Sequence, residues 1–242
     1  MKAVLGLVLA GVFCTTAAAQ DAEPVATVFN VDITRSELAA ASDDRPRARK
    51  LLALIWEQVA PHYIASRGLS ATPVEIAELA AYDREFDAKD RSQRARKLEE
   101  LDQRLNGDGL TPAEHAYLID FRATLRRLAQ YDAEQDQAPL AEPAQQAAFY
   151  APWIEMWKMN KALYEEYGGI VALTQVGPDP QGARAALLQD YERQGLLWIA
   201  DPVLHDEVMA VLQARPSMVV PTERIDFTPY WKRPIPASYF PN

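Results

Sequence analysis

The sequence predicts a mainly α-helical protein with a smaller α+β region at its C-terminal end. Two observations predict this fold class. Three Thr-x-x-Glu capping boxes, which begin at Thr34, Thr72 and Thr111, each start a segment with helical patterning. After Gly168, short β-branched runs separated by Pro and Gly replace the helical pattern, which is typical of strands and turns.

The composition fits a globular protein with one sizeable core or two modest ones. The chain has 242 residues, of which 49% are hydrophobic and 24% are charged. These values exclude collagen-like, disulfide-scaffold and low-complexity proteins. The 34 acidic residues outnumber the 25 basic ones, so the chain is not expected to bind nucleic acid through bulk positive charge.

The first segment, residues 1–19, has the pattern of a secretory signal peptide. Lys2 precedes an apolar run over residues 3–13, and small residues follow. We therefore expect a periplasmic or secreted protein with no integral membrane span after cleavage. The single cysteine, Cys14, lies in this segment, and the bulky Phe13 before it argues against a lipoprotein signal. The exported protein would then contain no thiol.

The N-terminal half alternates one strand with several helices. The apolar, β-branched residues 25–31 predict a short strand, and the box at Thr34 predicts a short helix to about Ala41. A longer amphipathic helix is predicted from about Asp44 to Gly68. Its apolar stripe consists of Ala48, Leu51, Leu52, Ile55 and Val59.

A helical hairpin is predicted next. The pattern from Thr72 to Asn106 predicts a long helix, with seven acidic and seven basic residues between positions 83 and 104. We interpret this charge run as a solvated face with many ion pairs. The helix after Thr111 should pack antiparallel on the first. Its expected packing residues are Leu118, Phe121, Leu125 and Leu128. The acidic residues 132–146 predict a linker.

The C-terminal part begins with an aromatic helix over residues 149–167. The remaining predicted elements are strand-like runs over 170–176 and 196–200, helices over 183–194 and 201–214, and a Pro-rich tail with an edge strand over 224–228. From these patterns we predict two regions of the mature chain, a helical one over 24–146 and an α+β one over 147–242.

Four short motifs within residues 25–79 resemble the N-terminal domain of one protein family. They are Val28-Phe29-Asn30, Ile33-Thr34-Arg35-Ser36-Glu37-Leu38, Leu51-Leu52-Ala53-Leu54-Ile55 and Gly68-Leu69-Ser70-Ala71-Thr72-Pro73-Val74-Glu75-Ile76. This segment is similar to the N-terminal chaperone domain of the SurA/parvulin-type peptidyl-prolyl isomerase family. Val31 stands where the family has glycine, and no parvulin catalytic domain is recognisable. The resemblance implies a helical domain that binds unfolded or extended polypeptide in an apolar cleft, without a cofactor.

The leading hypothesis is therefore a non-catalytic chaperone-like or peptide-binding protein. The residues predicted to line its cleft are Leu51, Ile55, Trp56, Trp153 and Trp157. The aromatic and methionine side chains between Phe149 and Tyr167 fit an adaptable peptide-binding surface. They also fit an ordinary core where the two regions meet, and this is the preferred interpretation because Trp153 and Trp157 share a helical face.

Two further hypotheses come from other classes. An envelope enzyme could have its site at the 175–184 turn, with His205 or Asp201 nearby. The residues of that turn are Gln175, Gly177, Asp179, Gly182 and Arg184. Its glycines would let the backbone approach a bound group, or the turn is only a proline-stiffened connection. A third hypothesis is an inhibitor or assembly subunit that uses the Pro-rich tail as a contact strand.

The sequence predicts no catalytic residue and no metal site. His62 and His115 have no second ligand at i+3 or i+4, which is the usual spacing on a helix. The consecutive residues His205, Asp206 and Glu207 point in different directions on a helix. Neither Gly-x-Ser-x-Gly nor His-Glu-x-x-His occurs.

Overall fold

The structure, a computed structural model, describes residues 23–40, 46–137, 142–174 and 177–240. Within these ranges the chain has seven α-helices and five short strands. The helices are α1 (Arg35–Ala40), α2 (Arg47–Ser66), α3 (Pro73–Leu105), α4 (Pro112–Asp136), α5 (Pro143–Tyr167), α6 (Gln181–Arg193) and α7 (Pro202–Gln213). The strands are β1 (Pro24–Val28), β2 (Val31–Thr34), β3 (Ala172–Thr174), β4 (Gly177–Asp179) and β5 (Leu197–Ile199). The mainly helical class with a small sheet region is confirmed. The predicted signal segment, Cys14 and Gln175 lie outside the described residues.

The chain forms two compact units, each built from two separated stretches of sequence. Unit 1 comprises Met1–Leu69 and Trp157–Phe227, and unit 2 comprises Ser70–Met156 and Thr228–Asn242. These bounds differ from the predicted regions 24–146 and 147–242. The physical reason is that β1 pairs with β5, a strand far along the chain, and such pairing leaves no trace in local periodicity.

The sheet of unit 1 has the strand order β2-β1-β5, and both pairings are antiparallel. Ala26 pairs with Ile199 and Val28 pairs with Leu197, and all four side chains are buried. Because successive strand residues face opposite sides, the other face of the sheet carries Trp198, which is 54% exposed. The N-terminal segment is thus held in the same unit as the C-terminal elements.

The predicted strand over residues 25–31 is in fact a hairpin. Its turn is formed by Phe29 and Asn30, which have φ angles of 50° and 66°. A type I′ turn needs positive φ at both central residues, which is unusual for Phe. The Phe29 ring stacks on His62 with 3.9 Å between ring centres and meets Tyr191 edge-on at 5.1 Å. These ring contacts stabilise a turn that the sequence pattern did not predict.

Helix α2 carries the predicted apolar stripe into the core of unit 1. Ala48, Leu51, Ile55 and Val59 are buried, together with Tyr63 one turn further on. Helix α7 packs against α2 and α6. The stripe is therefore confirmed over most of its length. The helix also continues through Pro61 to Ser66.

The predicted helical hairpin is formed by α3 and α4 in unit 2. Thr72 and Thr111 make complete capping boxes with Glu75 and Glu114 at the two helix starts. The core of the hairpin contains Leu101, Leu118 and Leu125, with Leu98, Leu105, Leu110 and Phe121 packed against it. Leu128, which was expected in the seam, is 40% exposed instead, because the helix turns it away from α3.

Ion pairs connect α3 to α4 on both sides of this core. Near the tip of the hairpin, Asp102 lies 3.1 Å from Arg122 and 3.2 Å from Arg126. Toward the other end, the Asp132 carboxylate contacts Arg94 at 2.9 Å and Arg91 at 3.8 Å. The charged run thus pairs across the hairpin as well as within α3.

Two predictions for the connecting segments are wrong. The expected linker over residues 132–146 is much shorter, because α4 continues to Asp136 and α5 already begins at Pro143. The expected edge strand over residues 224–228 is absent from this described part of the chain, and a 3₁₀ turn occupies Thr222–Arg224. The strand-like contact lies earlier, where Val219 bridges to Ala172 of β3.

None of the helices in the described ranges combines the length and apolar character needed to cross a membrane.

Candidate functional site

The residues predicted to line a peptide cleft occupy different environments. Leu51 and Ile55 are fully buried on α2, in the core of unit 1. Trp56 is half-buried on the same helix, and the guanidinium carbon of Arg184 lies 5.1 Å from the centre of its ring. Leu51 and Ile55 therefore stabilise the fold and present no open surface to a polypeptide.

The two tryptophans of α5 differ in exposure. Trp157 in unit 1 is 7% exposed, and its indole Nε1 donates a 2.7 Å hydrogen bond to the backbone oxygen of Phe227. Trp153 belongs to unit 2 and is 44% exposed. Trp157 is thus a packed side chain, whereas the ring of Trp153 is open to a ligand.

The glycines of the predicted ligand turn serve close packing. Gly177 has a φ of +113°, and a Cβ atom built there would lie 2.7 Å from Cη2 of Trp157. A Cβ on Gly182 would lie 3.3 Å from the Cα of Gly169. The space beside both glycines is therefore filled by the protein itself, so these glycines do not open the backbone to a bound group.

The polar residues of this turn form a mostly buried network. Arg184 Nη2 lies 3.1 Å from an Asp179 carboxylate oxygen and donates a 3.1 Å hydrogen bond to Asn160 Oδ1. Asn160, which is 6% exposed, donates in turn to the backbone oxygen of Pro178 at 3.1 Å. Burial raises the pKa of Asp179, against the opposite effect of Arg184, and burial also lowers the pKa of Arg184.

This network connects the turn to α5 and favours a structural role. Breaking a buried pair by removing one partner is costly, because the other charge stays buried without compensation. His205, which the enzyme hypothesis placed nearby, lies 2.9 Å from Glu192 and 3.1 Å from Asp206. Arg184 has an ion pair with Asp179, a hydrogen bond with Asn160 and a ring contact with Trp56. None of these three partners is a histidine.

A second polar cluster joins α2 to α5 within unit 1. The Tyr63 hydroxyl donates to Glu166 at 3.0 Å, and Arg67 donates to the same carboxylate at 2.8 Å. The hydrogen bond from Arg67 lowers the pKa of Glu166, and burial raises the pKa of Tyr63. Burial is also the main reason that the pKa of Tyr167 is raised to about 12. These phenols are neutral at physiological pH. The hydrogen bonds to Glu166 hold the end of α2 against α5, which is a structural role.

Unit 2 carries an aromatic cluster of which the sequence predicted only the part on α5 as a possible binding surface. Its ring contacts form three groups, which are Tyr82 of α3 with Tyr230 and Trp231 of the C-terminal tail, Phe86 of α3 with Tyr239 and Phe240 of the tail, and Phe149 with Tyr150 of α5. The tail packs against α3, where the Tyr82 and Tyr230 ring centres are 5.3 Å apart and those of Phe86 and Phe240 are 5.2 Å apart. The Pro-rich tail is thus packed on its own unit over this stretch.

Large parts of this aromatic cluster are open to solvent. Phe149 is 62% exposed and Tyr239 is 59% exposed, while Tyr230 and Phe86 are 40% and 36% exposed. Trp153 lies one helical turn after Phe149 and so continues the same face of α5. Several exposed rings on one unit are typical of interaction surfaces.

One carboxylate lies among these rings. The Tyr150 hydroxyl hydrogen-bonds to Asp83, and burial raises the pKa of this carboxyl group despite that bond. Burial also raises the pKa of Tyr230 to about 12. The cluster therefore offers neutral phenols and ring faces to a ligand, with the Asp83 carboxyl group among them.

The sequence contained part of the signal for this surface. The aromatic segment that begins at Phe149 was recognised, but its periodicity does not tell an exposed face from a buried one. The tail residues Tyr230, Tyr239 and Phe240 were missed because the tail has no regular period. Only the fold brings them to α3.

The described residues of each unit include a pocket. One, of about 400 Å³, is a groove of the α3–α4 hairpin, lined by Gln93, Arg94, Arg96, Lys97, Glu100, Phe121 and Leu125. The other, of about 340 Å³, is lined by Arg35, Leu38, Ala39, Arg47 and Lys50. Neither contains a residue predicted as a site. In the part of the chain that the structure describes, no group of three or more His, Cys, Asp or Glu side chains could hold a metal ion.

Comparison of the chain with protein-family models, with curated proteins and with solved structures finds no match.

Proposed function

We propose that this protein is a non-catalytic, chaperone-like protein of the bacterial cell envelope that binds unfolded or extended polypeptide. The proposed contact surface is the aromatic cluster of unit 2 together with Trp153. The observation that carries the proposal is the exposure of Phe149 and Trp153, 62% and 44%, on successive turns of one helix face. Exposed apolar rings are costly in water and gain free energy when a partner covers them.

The chemistry of this surface favours extended apolar segments over charged ligands. Ring faces accept aliphatic and aromatic side chains without fixed geometry, which suits partners of varied sequence. The phenol oxygens of Tyr150 and Tyr230 can also accept hydrogen bonds from the N–H groups of a peptide backbone. The SurA-like motifs in residues 25–79 and the signal-like residues 1–19 support the same function and location.

The enzyme hypothesis gains no comparable support. Asp179, Asn160 and Arg184 are held mainly by one another, and Trp157 packs on Gly177. A substrate would have to displace this packing before it reached the charged groups.

The experiment is an aggregation assay with a chemically denatured client protein that is diluted into buffer with this protein. We expect suppression at a near-stoichiometric ratio. The double variant Phe149→Ala/Trp153→Ala should lose most of it, because both exposed rings are removed. Trp198→Ala is the matched control, since this tryptophan is 54% exposed but lies on the sheet of unit 1, and it should retain full suppression.

Circular dichroism should show the same helix content for the unmodified protein and for both variants. The proposal is rejected if the unmodified protein leaves client aggregation unchanged. It also fails if Trp198→Ala loses as much suppression as the double variant.

A further inference from the structure

Helix α4 carries a second, mostly exposed stripe beside the seam that packs against α3. It consists of Tyr117, Phe121, Thr124, Leu128 and Tyr131. Tyr117, Leu128 and Tyr131 are 68%, 40% and 57% exposed, and the ring of Phe121 stacks on that of Tyr117. The buried seam residues Leu118 and Leu125 lie on a different face. Phe121 is half-buried at the edge of that seam, and the hairpin leaves Tyr117, Leu128 and Tyr131 exposed.

The spacing of the stripe is that of a helix–helix seam. The steps between its residues alternate between four and three, which keeps them in line when two helices pack along their length. From Tyr117 to Tyr131 the stripe extends over about 21 Å of helix. An exposed stripe of this length on an otherwise polar helix indicates a surface that another helix covers.

The charged residues beside the stripe indicate what kind of helix could pack on it. Asp120 and Arg127 both flank it on the same side, at about 60° and 80° from its centre line at 100° per residue. Neither has an ion-pair partner among the described residues, although Arg127 donates a 3.0 Å hydrogen bond to Thr124. One edge of the stripe thus carries one negative and one positive charge, nearly equidistant from Thr124.

We propose that the stripe is a self-association surface, on which α4 of a second copy of this chain packs antiparallel. A two-fold axis would pass next to Thr124. It would place Asp120 opposite the partner's Arg127 and Arg127 opposite the partner's Asp120. The same register pairs Tyr117 with the partner's Tyr131 and Phe121 with the partner's Leu128. The mixed charges fit this second copy, whereas a uniformly acidic or basic helix would be repelled by one of them.

Sedimentation velocity of the mature protein over a concentration range of about 1–100 μM tests the proposal. We expect a concentration-dependent dimer. The single variants Asp120→Arg and Arg127→Asp should each raise the dissociation constant about tenfold or more. Each of them replaces two symmetry-related attractions with two repulsions. The double variant Asp120→Arg/Arg127→Asp restores both attractions, so its dissociation constant should return to within about threefold of the original.

The double variant makes the test specific. Loss of the dimer in both single variants without recovery in the double variant would reject the antiparallel register. A protein that stays monomeric at the highest concentration, or single variants that dimerise like the original, would reject the surface itself. Asp120 and Arg127 are both exposed, so we expect circular dichroism to show unchanged helix content in these variants. If a variant lost helix content, Thr124→Glu would be tested in its place. That change sets two carboxylates against each other at the axis, and undiminished dimerisation would again reject the proposal.

Discussion

The contact between Gly177 and Trp157 gives the sharpest prediction for unit 1. In the variant Gly177→Ala, the new Cβ would lie 2.7 Å from Cη2 of the Trp157 ring and still closer to Cζ3. The ring cannot move away easily, because its Nε1 is hydrogen-bonded to Phe227 and the side chain is 7% exposed. The φ angle of +113° is in addition strained for any residue with a Cβ.

These effects give the expected size of the loss. Backbone strain of this kind costs on the order of 1–3 kcal/mol, and forcing an extra methyl group into a packed site costs about as much again. Alanine restricts the unfolded chain and recovers about 0.4–1 kcal/mol. We therefore expect Gly177→Ala to lower the free energy of unfolding by about 3 kcal/mol.

Gly168→Ala is the matched control. Gly168 has a φ of +63° and no atom within 4 Å of a built Cβ, so only backbone strain applies. A loss of about 1 kcal/mol is expected there. Urea denaturation followed by circular dichroism measures both values, and the midpoint should fall roughly three times as far for Gly177→Ala. Equal midpoints for the two variants would mean that the Trp157 ring yields, and the structural interpretation of the turn would be refuted.

Two further predictions concern charged groups. The pKa of Glu166 is lowered in the folded protein from its ordinary value of 4.5. The ionised Glu166 carboxylate therefore stabilises the fold above pH 4.5, and this stabilisation is lost as the pH falls through the lower pKa of the folded state. Glu166→Gln should therefore cost about 1 kcal/mol at pH 7 and progressively less as the pH falls below 4.5; a cost that does not change with pH would contradict the ion pair with Arg67. Asp132→Asn weakens the link from α4 to Arg91 and Arg94 and should cost about 1–2 kcal/mol in chemical denaturation. Glu134→Gln, on the same helix but exposed, should change the free energy of unfolding by no more than about 0.5 kcal/mol. An equal loss from both variants would show that the ion pairs between α3 and α4 do not stabilise the protein.

The parts of the fold that were predictable from sequence are those with local causes. Thr72 and Thr111 have their Glu partners three residues later, so both capping boxes could be identified from spacing alone. The apolar stripe of α2 follows from the helical period. The turn at Phe29 was not predictable, because the ring contacts that stabilise it come from His62 and Tyr191, far along the chain.

The candidate site was less predictable for the same reason. Trp153 and Trp157 are four residues apart and share a helical face, yet one is 44% exposed and the other is 7% exposed. The difference arises from Gly177 and Phe227, which pack on Trp157 from distant parts of the sequence. Periodicity locates the apolar face of a helix, but the partners that cover that face are set by tertiary packing.

The distribution of polar and apolar groups links the two proposals. In unit 1, Arg184 and Glu166 each lie at the centre of a polar cluster. The side chains around them hold these charges in place within the fold, which favours a structural role over a catalytic one. In unit 2, by contrast, two apolar surfaces stay exposed, the aromatic cluster with Trp153 and the stripe of α4. They share no residue, so self-association through α4 would leave the rings of Phe149 and Trp153 uncovered by those contacts. A dimer joined at α4 would then present two polypeptide-binding surfaces, and a client long enough to reach both would be held more tightly than by one, without any new contact.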